Sequence, residues 1–142
     1  MGLMSKRKGA VAERELSAEL RRIGFTDARR GQQYHGGPDS PDVVGVEGCH
    51  LEAKRCEALR LYEALDQAVS EAPIGSVPVV AHRRNRRPWV LILHLDHSVS
   101  FACRLLLGLG YRVIPPHRTS LGGYPVHGED GKALGVEWEA RA

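Results

Sequence analysis

The sequence predicts an α/β fold in which helices flank a mixed central β-sheet, built as one domain overall. Three observations predict it. Helical periodicity and strand-forming apolar runs alternate along the chain in the order helix, strands, helix, two strands, helix. Gly or Pro punctuates most of these runs. The run at 88–95 (Pro-Trp-Val-Leu-Ile-Leu-His-Leu) is apolar without alternation, the pattern of a strand buried on both faces.

The first helix is expected over 6–23, with Ser5 as its N-cap. Ala12, Leu16, Leu20 and Ile23 recur at helical spacing, and Gly24 stops the helix. Glu13 falls about 40° from the centre of this stripe, Glu19 roughly 80° off, and Glu15 points away. Glu13 is therefore the inward-facing carboxylate, either pairing with a nearby Arg at the core's edge or serving a site. Residues 25–34 have moderate strand propensity. The loop His-Gly-Gly-Pro-Asp-Ser-Pro follows, in which His35 and Ser40 suit a phosphate contact or a turn. Residues 59–72 predict a second helix with Leu61, Leu65, Ala68 and Ala72 on its apolar face, Gln67 beside that face, and Pro73 as its end. Strands at 77–82 and 88–95 are joined by the Arg-rich hairpin loop 83–87. A third helix spans 97–107 and ends at Gly108. The tail is Gly- and Pro-rich and poorly periodic; Tyr111–Ile114 is a candidate strand, and Val136 and Trp138 are candidates for packing. The organisation expected is a core over 1–107 and an extension over 108–142 packed on it or at an interface between copies.

The stretch 41–54 carries the chemistry. It reads as two short strands with Asp42, Glu52 and Lys54 set among apolar residues. Burying those charges is costly unless something pairs with them. Glu52 and Lys54 share one face of their strand, and His50 shares their parity; Leu51 and Ala53 take the other face. A two-residue turn at Glu47-Gly48 would send Asp42 to the wrong face. A three-residue loop, Val46-Glu47-Gly48, with Gly48 left-handed, would set Asp42 opposite Glu52. That loop, or an equivalent bulge, is the expectation. His50 could line the far end of the site, but a partly exposed strand residue is the expectation. Asp39 is a rival to Asp42, which is preferred because it leads directly into Val43-Val44, a rigid element.

Composition bounds the function classes. The chain has 142 residues, 42% apolar and 26% charged, as in an ordinary folded domain. No apolar run approaches the ~20 residues of a membrane span, and no signal-peptide pattern opens the chain. A cytoplasmic protein, cellular or viral and acting in a host cytoplasm, is expected. Cys49, Cys56 and Cys103 match no zinc spacing and are expected as reduced, mostly buried thiols. The net charge is +3, but Lys6, Arg7 and Lys8, Arg29 and Arg30, and Arg83, Arg84, Arg86 and Arg87 form clusters that suit a polyanion, or else solvated loops.

Two carboxylates and an ammonium on one sheet face suit a divalent cation such as Mg²⁺, with Mn²⁺ as a substitute. Asp42 and Glu52 would hold it, with the Ala53 carbonyl and Glu13 completing the set. Lys54 would orient or deprotonate water and stabilise negative charge. Phosphodiester hydrolysis needs those elements, and Gln67 could hydrogen-bond a phosphate or a metal-bound water, or simply satisfy a backbone group. The segments Lys8-Gly9-Ala10-Val11-Ala12-Glu13-Arg14-Glu15-Leu16, Ser40-Pro41-Asp42-Val43-Val44 and Leu51-Glu52-Ala53-Lys54 together resemble the PD-(D/E)-x-K nuclease superfamily. Within it they are most similar to the archaeal-type Holliday junction resolvases and their phage relatives. The resemblance covers about the first two-thirds of the chain. It implies a restriction-endonuclease-like core and a catalytic set of Glu13, Asp42, Glu52 and Lys54, with Ser40 and Gln67 accessory. It also implies a homodimer that nicks four-way DNA junctions. The alternatives are an exonuclease or flap nuclease of the same superfamily, and a DNA-binding module without turnover.

Overall fold

The computed structural model describes residues 3–31, 40–111, 113–114 and 135–136. The side chains of Lys6 and Arg7, the loop residues His35 and Asp39, and most of the tail, Trp138 included, lie outside the described residues. The chain runs α1 (Leu3–Arg22), β1 (Arg29–Arg30), β2 (Val43–Val44), β3 (Cys49–Arg55), α2 (Leu61–Glu71), β4 (Val77–Arg83), β5 (Val90–Ile92), a 3₁₀ turn (Leu95–His97), α3 (Ser98–Gly108), β6 (Val113–Ile114) and β7 (Gly135–Val136). The first five strands form one sheet in the order β1-β2-β3-β4-β5. β3 and β4 pair in parallel across the α2 crossover, and the other pairings are antiparallel. The expected mixed α/β architecture is present. β6 and β7 make a separate antiparallel pair.

Successive residues of a strand point to opposite faces, and the core divides accordingly. Leu51, Val79 and Ala81 pack with Leu16, Leu20 and Phe25 on one face, with Phe101 and Leu105 of α3 against the same cluster. Val80 packs with Ala64, Leu65 and Ala68 of α2 on the other. His50, Glu52 and Lys54 alternate with Leu51 and Ala53 and so belong to the α2 face.

Several elements depart from expectation for identifiable reasons. Ser5 lies inside α1 rather than at its cap, because Leu3 and Met4 are good helix formers and continue it. Ile23 is 50% exposed. At the end of α1 Phe25 N donates to Leu20 O and Gly24 N to Arg21 O, a Schellman turn with Gly24 at φ 118°. That turn carries Phe25, not Ile23, into the core. Of residues 25–31, the described part of the 25–34 stretch, only Arg29–Arg30 is strand, a short edge piece paired with β2. Leu61 is exposed, and Ala64 takes the buried place on α2. The run 88–95 is not a strand buried on both faces. β5 is three residues at the sheet edge, with Val90 and Leu91 exposed, since only β4 flanks it. Pro78 fits within β4 because β5 pairs only with Val80, Ala81 and His82, so one side of the strand has no ladder bond to lose there.

Candidate active site

The β2–β3 hairpin has the register that the charges require. Val43 pairs with Leu51, which sets Asp42 opposite Glu52, and Asp42 N donates to Leu51 O at 3.0 Å. The connecting loop is Val46-Glu47-Gly48, closed by Cys49 N donating to Val46 O at 3.2 Å. Gly48 adopts φ 72°, the left-handed conformation that Gly holds without strain. Gly45, at φ 104°, is pressed against the end of the α1–β1 loop. A Cβ there would stand 2.5 Å from Ala28 Cα.

Asp42 is partly buried, and its Oδ2 accepts the Ala53 N–H at 2.9 Å. Burial, and next the Glu52 charge, push its carboxyl up to about 6. The Ala53 N–H opposes that rise; Glu13 adds to it, and Lys54 lowers it. Glu52 is 3% exposed. Its Oε1 lies 3.1 Å from His50 Nε2 and its Oε2 3.6 Å from Lys54 Nζ. Lys54 Nζ donates to Gln67 Oε1 at 2.9 Å, and Gln67 Nε2 donates to Glu71 Oε1 at 3.0 Å. One arc of side chains thus runs from His50 through Glu52, Lys54 and Gln67 to Glu71. Such an accumulation of carboxylates, one of them buried, suits a divalent cation, which would compensate their charge.

Glu13 sits differently. α1 covers the Leu51 face, and the Glu13 carboxylate receives the Arg30 guanidinium. Of the two readings open for it, the Arg pairing is present. It meets the site through Asp42, whose proton affinity its charge raises. Among the described residues, the three-residue group with donor atoms within 4.8 Å of one another is His50, Glu52 and Glu71; Glu13 and Asp42 do not join it. Ser40 is half-buried beside Asp42 in the chain.

Two side chains differ from expectation. His50 is not partly exposed but 1% exposed, because the centre of β3 lies between β2 and β4. Glu15 does not point away. It accepts Arg55 Nη1 at 2.9 Å and Arg83 Nη1 at 3.4 Å, since the C-terminal ends of β3 and β4 reach α1. The basic candidates divide likewise. Arg30 is neutralised by Glu13, and Arg83 is engaged by Glu15 and lies over the Trp89 ring at 5.9 Å. Lys8, Arg29, Arg84, Arg86 and Arg87 are exposed. Arg55, Glu57, Arg83, Asn85 and Arg86 line an open groove of about 650 Å³ at the C-terminal ends of β3 and β4, one residue beyond Lys54. Cys49, Cys56 and Cys103 are free thiols, and burial pushes Cys49 up to about 11.

Glu71 and Arg55 are the neighbours that sequence reasoning missed, and His50 is the one it ranked as a partly exposed strand residue rather than as lining the site's far end. The signals existed: His50 shares parity with Glu52, and Glu71 lies four residues from Gln67 on one helix face. Among the described residues no helix is long and apolar enough to cross a membrane. Compared with protein-family models, curated proteins and solved structures, the chain matches none.

Proposed function

We propose that the chain is a divalent-metal-dependent DNA endonuclease that hydrolyses phosphodiester bonds, acting as a homodimer on branched DNA of the four-way-junction kind. The observation that carries this reading is the hairpin register, with Asp42 opposite Glu52 and Lys54 two residues further on the same face. Asp42 and Glu52, with the Ala53 carbonyl, would hold a cation, and Glu13 would adjust the charge at Asp42. A bound cation would supply Lewis acidity and neutralise charge at the phosphate. The chain's own groups do the rest. Lys54 Nζ, held at the rim by Gln67, orients water toward the phosphorus and stabilises negative charge developing there. Gln67 fixes that ammonium in place. The exposed Arg84, Arg86 and Arg87, and the groove behind them, supply a positive path for the DNA backbone.

The test is a cleavage panel with Mg²⁺ and with Mn²⁺ over labelled four-way junction, flap, duplex and single-stranded DNA. Nicks concentrated in the junction are expected. Cutting of linear or flapped DNA alone would leave a nuclease and remove the junction preference. Binding without cutting in either ion would make the chain a DNA-binding module.

A further inference from the structure

We propose that His50, Glu52 and Glu71 form a binding site for a first-row transition-metal dication on the α2 face of the sheet, and that its mixed nitrogen–oxygen donor set favours such ions over Mg²⁺. Their donor atoms lie within 4.8 Å of one another. Donors about 2.1 Å from a shared ion are at most about 4.2 Å apart, so a small adjustment of the half-buried Glu71 closes the set.

The state of His50 points to the same ligand. Its side chain is fully buried, its Nε2 faces the Glu52 carboxylate, and its Nδ1 has no hydrogen-bond partner among the described residues. A neutral imidazole carries one ring proton. With that proton on Nε2, the Nδ1 lone pair meets nothing. With it on Nδ1, the Nε2 lone pair faces carboxylate oxygen. In the second case a cation set between Nε2 and the Glu52 carboxylate would replace that opposition with two metal–ligand bonds. Glu52 is similarly underserved, with His50 and a lysine at 3.6 Å as its partners among the described residues.

The surroundings are built for the exchange. Lys54 Nζ already donates to Gln67, so it retains a partner when Glu52 turns to a cation. Gln67 Nε2 holds Glu71 Oε1, the outer-shell contact that orients a ligating carboxylate. Imidazole suits zinc-like and neighbouring transition ions, whereas Mg²⁺ prefers oxygen donors and retains its waters.

The inference shares Glu52 with the nuclease reading but stands on metal binding alone. Mn²⁺ is titrated into the full chain without DNA and followed by electron paramagnetic resonance. Wild type, His50→Gln, Glu71→Gln and Asp42→Asn are compared, each checked for folding by circular dichroism. Saturable Mn²⁺ binding is expected, displaced by Mg²⁺ only at tenfold or greater excess, with a ¹⁴N modulation from imidazole. His50→Gln should abolish that modulation. Glu71→Gln, at the rim of the site, should weaken the nitrogen-coordinated binding at least tenfold, whereas Asp42→Asn should leave the ¹⁴N modulation in place. Absence of the ¹⁴N signal in wild type overturns the proposal, as does its loss in Asp42→Asn with Glu71→Gln unaffected. Mn²⁺ binding of the expected kind without DNA cleavage would sink the nuclease reading alone.

Discussion

Asp42 is where the chain's electrostatics are least comfortable. Its carboxyl is raised from the ordinary 3.8 to about 6, chiefly by burial and next by the Glu52 charge. A carboxyl that holds its proton more tightly when folded makes stability fall as pH rises between those two values, and the loss is complete above the higher one. Asp42→Asn keeps an acceptor for the Ala53 N–H and removes the charge. In metal-free buffer at pH 8 it should therefore stabilise the fold by on the order of 2 kcal/mol, and at pH 4 by much less. Urea unfolding at the two pH values measures this, and equal effects at both would contradict the assignment. On activity the expectation reverses. Asp42→Ala and Glu52→Ala should abolish cutting while leaving metal-free DNA binding nearly unchanged. Lys54→Ala should slow cutting by about 10²–10⁴-fold, the range for a group acting on the attacking water. Single-turnover cleavage beside a binding isotherm separates these outcomes.

The β2–β3 hairpin shows how one element fixes a site. Its three-residue loop followed from requiring Asp42 to face Glu52, since a two-residue turn would put the two on opposite faces. Two glycines hold it in different ways. Gly48→Ala would bring a Cβ to 2.6 Å from the Arg104 side chain, which can move. Gly45→Ala would strike the Ala28 and Asp27 backbone, which cannot move without displacing β1. Gly48→Ala should cost about 1–2 kcal/mol, the ordinary penalty of a left-handed residue, and Gly45→Ala distinctly more. Similar unfolding midpoints for the two would show that the α1–β1 loop yields. In the β4–β5 turn, Arg86 holds φ 58° although it is not Gly, with Arg87 N donating to Arg84 O at 3.3 Å. Arg86→Gly should raise stability by up to about 1 kcal/mol and, on the proposed function, weaken DNA binding. The 88–95 run was misread at this scale. Apolar residues without alternation fit an edge strand that leaves the sheet early as well as a buried one, and periodicity cannot tell them apart.

Across the molecule, positive charge gathers at the C-terminal ends of the parallel β3–β4 pair, next to the candidate site. Replacing Arg84 and Arg87 together should weaken DNA binding and flatten its salt dependence. The slope of log K against log salt should fall by about 0.9 for each phosphate contact removed. An unchanged slope would assign the turn to another role. Arg30 and Arg83 should matter less to affinity, because Glu13 and Glu15 already neutralise them. That distinction was invisible in the sequence, where all these arginines look alike.

The sequence by itself determined the element order, the mixed α/β class and the face shared by Glu52 and Lys54. Those properties are local: they follow from apolar period, Gly and Pro punctuation, and strand parity. Only the tertiary structure decided which charges meet. It turned Glu13 to Arg30 and Glu15 to Arg55 and Arg83, and it buried His50 against Glu52 with Glu71 nearby. Those pairings join residues distant in the chain, and they depend on which helix covers which face of the sheet. Parity fixes which side chains share a face; packing fixes what stands across from them.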